Sequence, residues 1–193
     1  MHAKVDGSTA LVQLDESLAH QPIQDTFRRF SETIASHGGT THEIRGDALV
    51  GEFSRASDAV SATTAFQSAN TPHNEELPDQ VRPVVRIGIA MGEVVISDNT
   101  ITGEGIVLAQ RLEQLVFPCG MCIQGVAHET APKRLALAYE NLGERGLKGF
   151  DEPVRAYAIR QQSRVGVPTQ RKSAASNLAD KPSIAVLPFT NMS

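Results

Sequence analysis

The stretch Glu43-Ile44-Arg45-Gly46-Asp47-Ala48-Leu49-Val50-Gly51-Glu52-Phe53 decides the fold. Apolar residues flank a Gly-Asp pair, which predicts two short strands joined by a tight hairpin at Gly46-Asp47. That turn places the Asp47 carboxylate at the hairpin tip. A turn needs Gly, Asn or Asp for its backbone alone, so packing does not account for a carboxylate there and a functional role stays open beside the plain turn reading. Upstream, Ile23, Phe27, Phe30 and Ile34 recur at helical spacing, and Gly38-Gly39 supplies a stop. Downstream, Ser54 is placed to cap a second helix whose inner face holds Ala56, Ala59, Val60, Thr63 and Phe66.

The rest of the chain extends this alternation. Residues 70–80 are polar with two prolines and read as a loop. Strands are expected over 84–90 and 93–97 with a turn at Met91-Gly92, then a helix over 103–116 and a short strand over 121–124. Strands over 135–139 and 154–159 close the sheet. Strand, helix, hairpin, helix, strand pair, helix, strand and final hairpin describe an α+β sandwich, with helices on one face of a largely antiparallel sheet.

Composition narrows the function classes. The chain has 193 residues, 40% of them hydrophobic and 21% charged, as expected of one globular domain plus a tail. No apolar run approaches the roughly 20 residues that span a bilayer, and the start has no secretory pattern, so a cytoplasmic location is expected. A net charge of -4 and the lack of a basic stripe argue against nucleic acid as the partner. The two cysteines, Cys119 and Cys122, have no second ligand pair for zinc and read as buried core thiols.

Past residue 160 the composition shifts. Residues 161–180 are rich in Gln, Ser, Arg and Ala and read as a linker. Residues 181–193, with Ile184-Ala185-Val186-Leu187, read as the first strand of another domain.

Four motifs occur in order after a short first strand: the Gly46-Asp47 hairpin, Arg86-Ile87-Gly88-Ile89-Ala90-Met91-Gly92-Glu93, Gln110-Arg111-Leu112-Glu113 and Leu147-Lys148-Gly149-Phe150. Over residues 3 to 159 this set resembles the catalytic domain of the class III adenylate and guanylate cyclases. The resemblance implies a ferredoxin-like βαββαβ core, ATP or GTP as substrate, and a cyclic nucleotide plus pyrophosphate as products. It further implies Mg2+ or Mn2+ held by two aspartates, and a homodimer or a heterodimer with another cyclase domain.

Carried over position by position, the resemblance assigns Asp47 to the metal and Arg111 to the developing phosphate charge. Thr100 falls where the family recognises the base. Gly7, Ser8 and Thr9 fall where the backbone cradles phosphates, and Lys148 reads either as a triphosphate contact or, equally, as a solvated surface lysine. Three positions depart from the pattern. Lys4 stands where the first metal aspartate belongs, with Asp6 two residues on as the substitute ligand. Glu43 replaces the adenine-recognising lysine, and Val107 replaces the ribose-orienting asparagine. Two readings follow: a cyclase with impaired turnover, or an inactive cyclase-like domain that dimerises or senses nucleotide.

Overall fold

The structure is a computed structural model that describes residues 1–8, 16–97, 100–131 and 137–161. The linker and further-domain expectations over 161–193 fall, apart from Gln161, outside the described residues. In chain order the first half comprises β1 (His2–Val5), α1 (Glu16–Ser36), β2 (Thr40–Arg45), β3 (Ala48–Glu52), α2 (Ala56–Glu75) and β4 (Val85–Ile89). The second half comprises β5 (Val95–Ser97), β6 (Thr100–Thr102), α3 (Glu104–Glu113), β7 (Met121–Gln124), α4 (Gly125–Thr130), β8 (Leu137–Arg145) and β9 (Val154–Gln161).

The main sheet runs β2-β3-β1-β4-β7-β9-β8. Its pairings are antiparallel except β4–β7, which is parallel. The segment from β1 to β4 is the ferredoxin-like core in the order β2-β3-β1-β4, and β7, β9 and β8 extend it. The α+β class expected from the element order is therefore the one found. Among the described residues, no helix is long and apolar enough to cross a membrane.

The α1 stripe forms as its spacing predicts, with Ile23, Phe27, Phe30 and Ile34 all buried. Phe30 stacks on Phe66 of α2 at a centroid distance of 3.9 Å, joining both helices over Ala3, Val5, Ile87 and Ile89 of the sheet. α3 is the exception to the one-face expectation, because it lies across the opposite face. It crosses directly over Gly88, where an added Cβ would stand 1.9 Å from the Ala109 carbonyl oxygen. Only glycine permits that approach. A second core of Leu108, Leu112, Val116, Cys122 and Leu147 fills this side.

Four local expectations are corrected. Residues 70–75 continue α2 despite Pro72. The helix is held there by Asn70, which accepts from Arg29 at 3.0 Å, and by Asn74, which donates to the Pro83 carbonyl at 3.0 Å. Tertiary bonds of this kind outweigh local propensity. Ser54 does not cap α2. Arg55 stands at that position without a side-chain cap bond and pairs instead with Asp58 at 2.8 Å.

The strand at 95–97 does not fold back on β4. It pairs with β6 as a separate two-stranded sheet. β7 occupies the β4 edge in parallel, and Gly92 is drawn against Gly105 at the start of α3. The first strand is short, as expected, and is paired on both sides by β3 and β4. Of the two thiols, only Cys122 is buried, its ionisation pushed up to about 12 by desolvation; Cys119 is exposed.

Candidate functional site

β1 ends beside the β2–β3 hairpin. The Val5 N–H donates to the Asp47 carbonyl at 2.8 Å, and the Asp6 N–H donates to the Val84 carbonyl at 2.7 Å. The hairpin tip is thereby folded onto the end of β1, so the Asp47 carboxylate points back over the strand and does not stand out in solvent. Gly46 makes the turn at φ +59°, and Gly7 turns the chain after β1 at φ +64°. Both lie in the left-handed region that favours glycine.

Strand register does the next part of the assembly. Lys4 is the Cα partner of Ala48 on one side and of Arg86 on the other. Two cations therefore stand side by side on adjacent strands, on the face that α3 covers. Lys4 Nζ lies 3.6 Å from Asp47 Oδ2, and the Ser8 hydroxyl donates to the same oxygen. Arg86 Nη2 contacts Asp6 Oδ1 at 3.1 Å, and Arg86 Nε lies 3.7 Å from Glu113 Oε2.

Glu113, at the end of α3, is fully buried, and neither carboxylate oxygen has a hydrogen-bond partner. Desolvation pushes its pKa up to about 6, opposed by the positive charges of Arg86 and Lys4 and assisted by Asp6 and Asp47. His2, one register step away on β1, is held down to about 4, chiefly by burial and also by nearby positive charge including Lys4.

The sequence-expected residues thus divide into groups. Lys4, Asp6, Ser8 and Asp47 come together, with Gly7 turning the backbone between them. Arg111 and Lys148 form a second group, in which Arg111 Nε donates to the Lys148 carbonyl at 3.2 Å while the lysine side chain is exposed. Arg111 and Glu113 sit two residues apart on α3, about 200° around the helix, so one turns outward and the other into the sheet. Val107 is 40% exposed on the same helix. Thr100 is exposed at the start of β6, opposite Ser97. Glu43 ion-pairs with Arg45 on its own strand. Thr9 lies outside the described residues.

Arg86 and Glu113 were present in the motifs but carried no assigned role. The readable signal was Glu113 itself, an acid next to Leu112 in the otherwise apolar inward stripe of a helix.

A divalent cation wants several free carboxylate oxygens. Here Asp47 is taken by Lys4 and Ser8, and Asp6 by Arg86. Among the described residues no group of three or more His, Cys, Asp or Glu side chains is arranged to hold a metal. The donor set as it stands does not fit the ion that the resemblance implies.

Comparison with known proteins bears on the chain as a whole. No family profile matches the chain. It is 30% identical over 189 residues to the protein named "Putative adenylate cyclase 3" of Rhizobium meliloti (strain 1021), a match covering 97% of this chain. The chain spans 32% of that relative's length. The solved adenylate/guanylate cyclase/hydrolase from Silicibacter pomeroyi superposes with a TM-score of 0.68 at 24% identity, covering 84% of this chain and 96% of that one. The adenylyl cyclase CyaB from P. aeruginosa does so with a TM-score of 0.65 at 21% identity, covering 84% and 93%. The two solved structures bear on the fold.

Proposed function

We propose that this chain, which belongs to the class III adenylate and guanylate cyclase family, is a cyclase-homology domain that does not turn over ATP or GTP by itself. Its role is that of a dimerising or nucleotide-sensing module in intracellular signalling. One observation carries the reading. The position of the first metal carboxylate is a lysine whose ammonium stands 3.6 Å from the Asp47 oxygen.

Cyclisation brings the ribose 3′-hydroxyl onto the α-phosphate and expels pyrophosphate, chemistry that depends on charge stabilisation at fixed positions. This chain retains Arg111 for that task, but its carboxylates are spent on internal ion pairs. Glu43 offers an anion where the base-binding cation is expected, and Val107 has no donor for the ribose. Losing even one fixed electrostatic contact costs about 10²–10³ in rate. The test is turnover of manganese-ATP and manganese-GTP by the purified chain. No cyclic nucleotide above background is expected; turnover that disappears in Asp47→Ala would sink the reading.

A second reading concerns a partner. The Lys148 carbonyl holds only Arg111 Nε, and the residue is half-buried, so the guanidinium tip is available to a neighbouring domain. In a mixed dimer this chain would lend Arg111 to a subunit with an intact metal site. Mixing it with a cyclase domain stripped of its own arginine should restore activity, and Arg111→Ala in this chain should not.

A further inference from the structure

Carboxylates from three separate places lie along the α3-covered face in two neighbouring ion-pair sets: Asp47 from the hairpin with Lys4, and Asp6 from the turn after β1 and Glu113 from the end of α3 with Arg86. Such a cluster repels itself unless cations stand within it. Two cations are present. Arg86 bridges Asp6 and Glu113, while Lys4 serves Asp47. The charge of Lys4 reaches further than its contact, since it also favours the ionised form of buried Glu113.

Glu113 adds an independent sign that the cluster lacks positive charge. It is fully buried with both oxygens unpartnered, and its nearest cation is 3.7 Å away.

We infer that the Lys4 ammonium is the resident counter-ion of this cluster, a covalently tethered cation that takes over the charge role of a divalent ion. The native face therefore has no divalent-cation affinity, and removing the ammonium creates one. The inference rests on the family reading above and deepens it, because it assigns the site's occupant and not merely its loss of turnover. Carboxylate oxygens are the hard donors that Mg2+ and Mn2+ prefer. Lys4→Asp would leave one more carboxylate facing a single guanidinium, a strong demand for an external cation. Lys4→Met would keep the stem and remove only the charge.

The test is Mn2+ binding to the whole chain by electron paramagnetic resonance, with thermal unfolding read in parallel. The native chain is expected to show no Mn2+-dependent shift. Lys4→Asp should bind Mn2+ at least tenfold more tightly than the native chain, with a rise in unfolding temperature reversed by chelator. That gain should vanish in Lys4→Asp with Asp47→Asn. Lys4→Met should show a smaller gain of the same kind. If either variant fails to fold without metal, refolding in Mn2+ should rescue it.

Native Mn2+ binding lost in Asp47→Asn would overturn the inference. So would folded Lys4 variants with no gain, or unfolded ones that Mn2+ does not rescue. Because the readout is metal binding, it separates from the turnover test. A native chain that made cyclic nucleotide would defeat the proposed function, whereas one that bound no Mn2+ and made none would leave both standing.

Discussion

The two faces of the main sheet are built on different terms. Under α1 and α2, Phe27, Phe30, Phe66 and Ile34 pack with essentially no exposure. Under α3 the same strands present Lys4, Arg86 and His2, and the helix answers with a buried Glu113. Apolar burial stabilises at about 25 cal/mol per Å², while a buried carboxylate with unpartnered oxygens costs free energy. The first face is largely apolar, whereas on the second the apolar core of Leu108, Leu112 and Val116 is joined by charges that cost some of its stability. That contrast is what supports proposing the α3 side as the functional one.

The largest expected effect tests the apolar face. Phe66→Ala removes one ring of the Phe30–Phe66 stack and should destabilise by about 3–5 kcal/mol in chemical denaturation. A loss below about 1 kcal/mol would mean the two helices are not packed as described. Next comes the crossing of α3. Gly88→Ala forces a Cβ against the Ala109 carbonyl and should cost about 1–3 kcal/mol or more, lowering the unfolding temperature. An unchanged temperature would place α3 further from the sheet than the structure has it.

The third prediction concerns pH. Glu113 has its folded pKa raised to about 6 from an ordinary value of 4.5. The folded state thus holds the proton more tightly than the unfolded one. Stability from this group is fully present below about 4.5 and is lost as pH rises through about 6. Glu113→Gln should therefore be more stable than the native chain by about 2 kcal/mol at pH 7.5, with the difference closing by about pH 4.5. His2 titrates in the opposite sense, its stabilisation being lost as pH falls toward about 4, and it is common to both proteins. A pH-independent gap between the two would refute this account of Glu113.

The smallest effect lies at the sheet edge, where Arg160 Nη2 meets Glu140 at 2.6 Å in solvent. Glu140→Ala should change stability by less than about 1 kcal/mol, because exposed pairs are screened. A larger cost would give that edge more weight than the α3 face.

Much of the fold was legible because its signals are local. The 23-27-30-34 stripe, the Gly46-Asp47 turn and the 121–124 strand depend on spacing and turn chemistry within a few residues, and all three form as read. The strand at 95–97 and the end of α2 were misassigned for the opposite reason. The partner of β5 depends on which strand already holds the β4 edge. The last turn of α2 survives Pro72 only through bonds to α1 and to the segment before β4. In the candidate site, Lys4 and Asp47 could be singled out one at a time. Their ion pair could not, because 43 positions separate them.

What the sequence alone determined is the α+β class, the main helices and strands of the core, and which side chains stand at Lys4, Glu43 and Val107, since side-chain identity and periodicity are properties of the chain itself. What only the tertiary structure decided is which charges meet. Lys4 and Arg86 become neighbours through antiparallel register, and Glu113 joins them because α3 crosses over a glycine. Charges act over a few ångströms, and those distances exist only once distant segments are folded together.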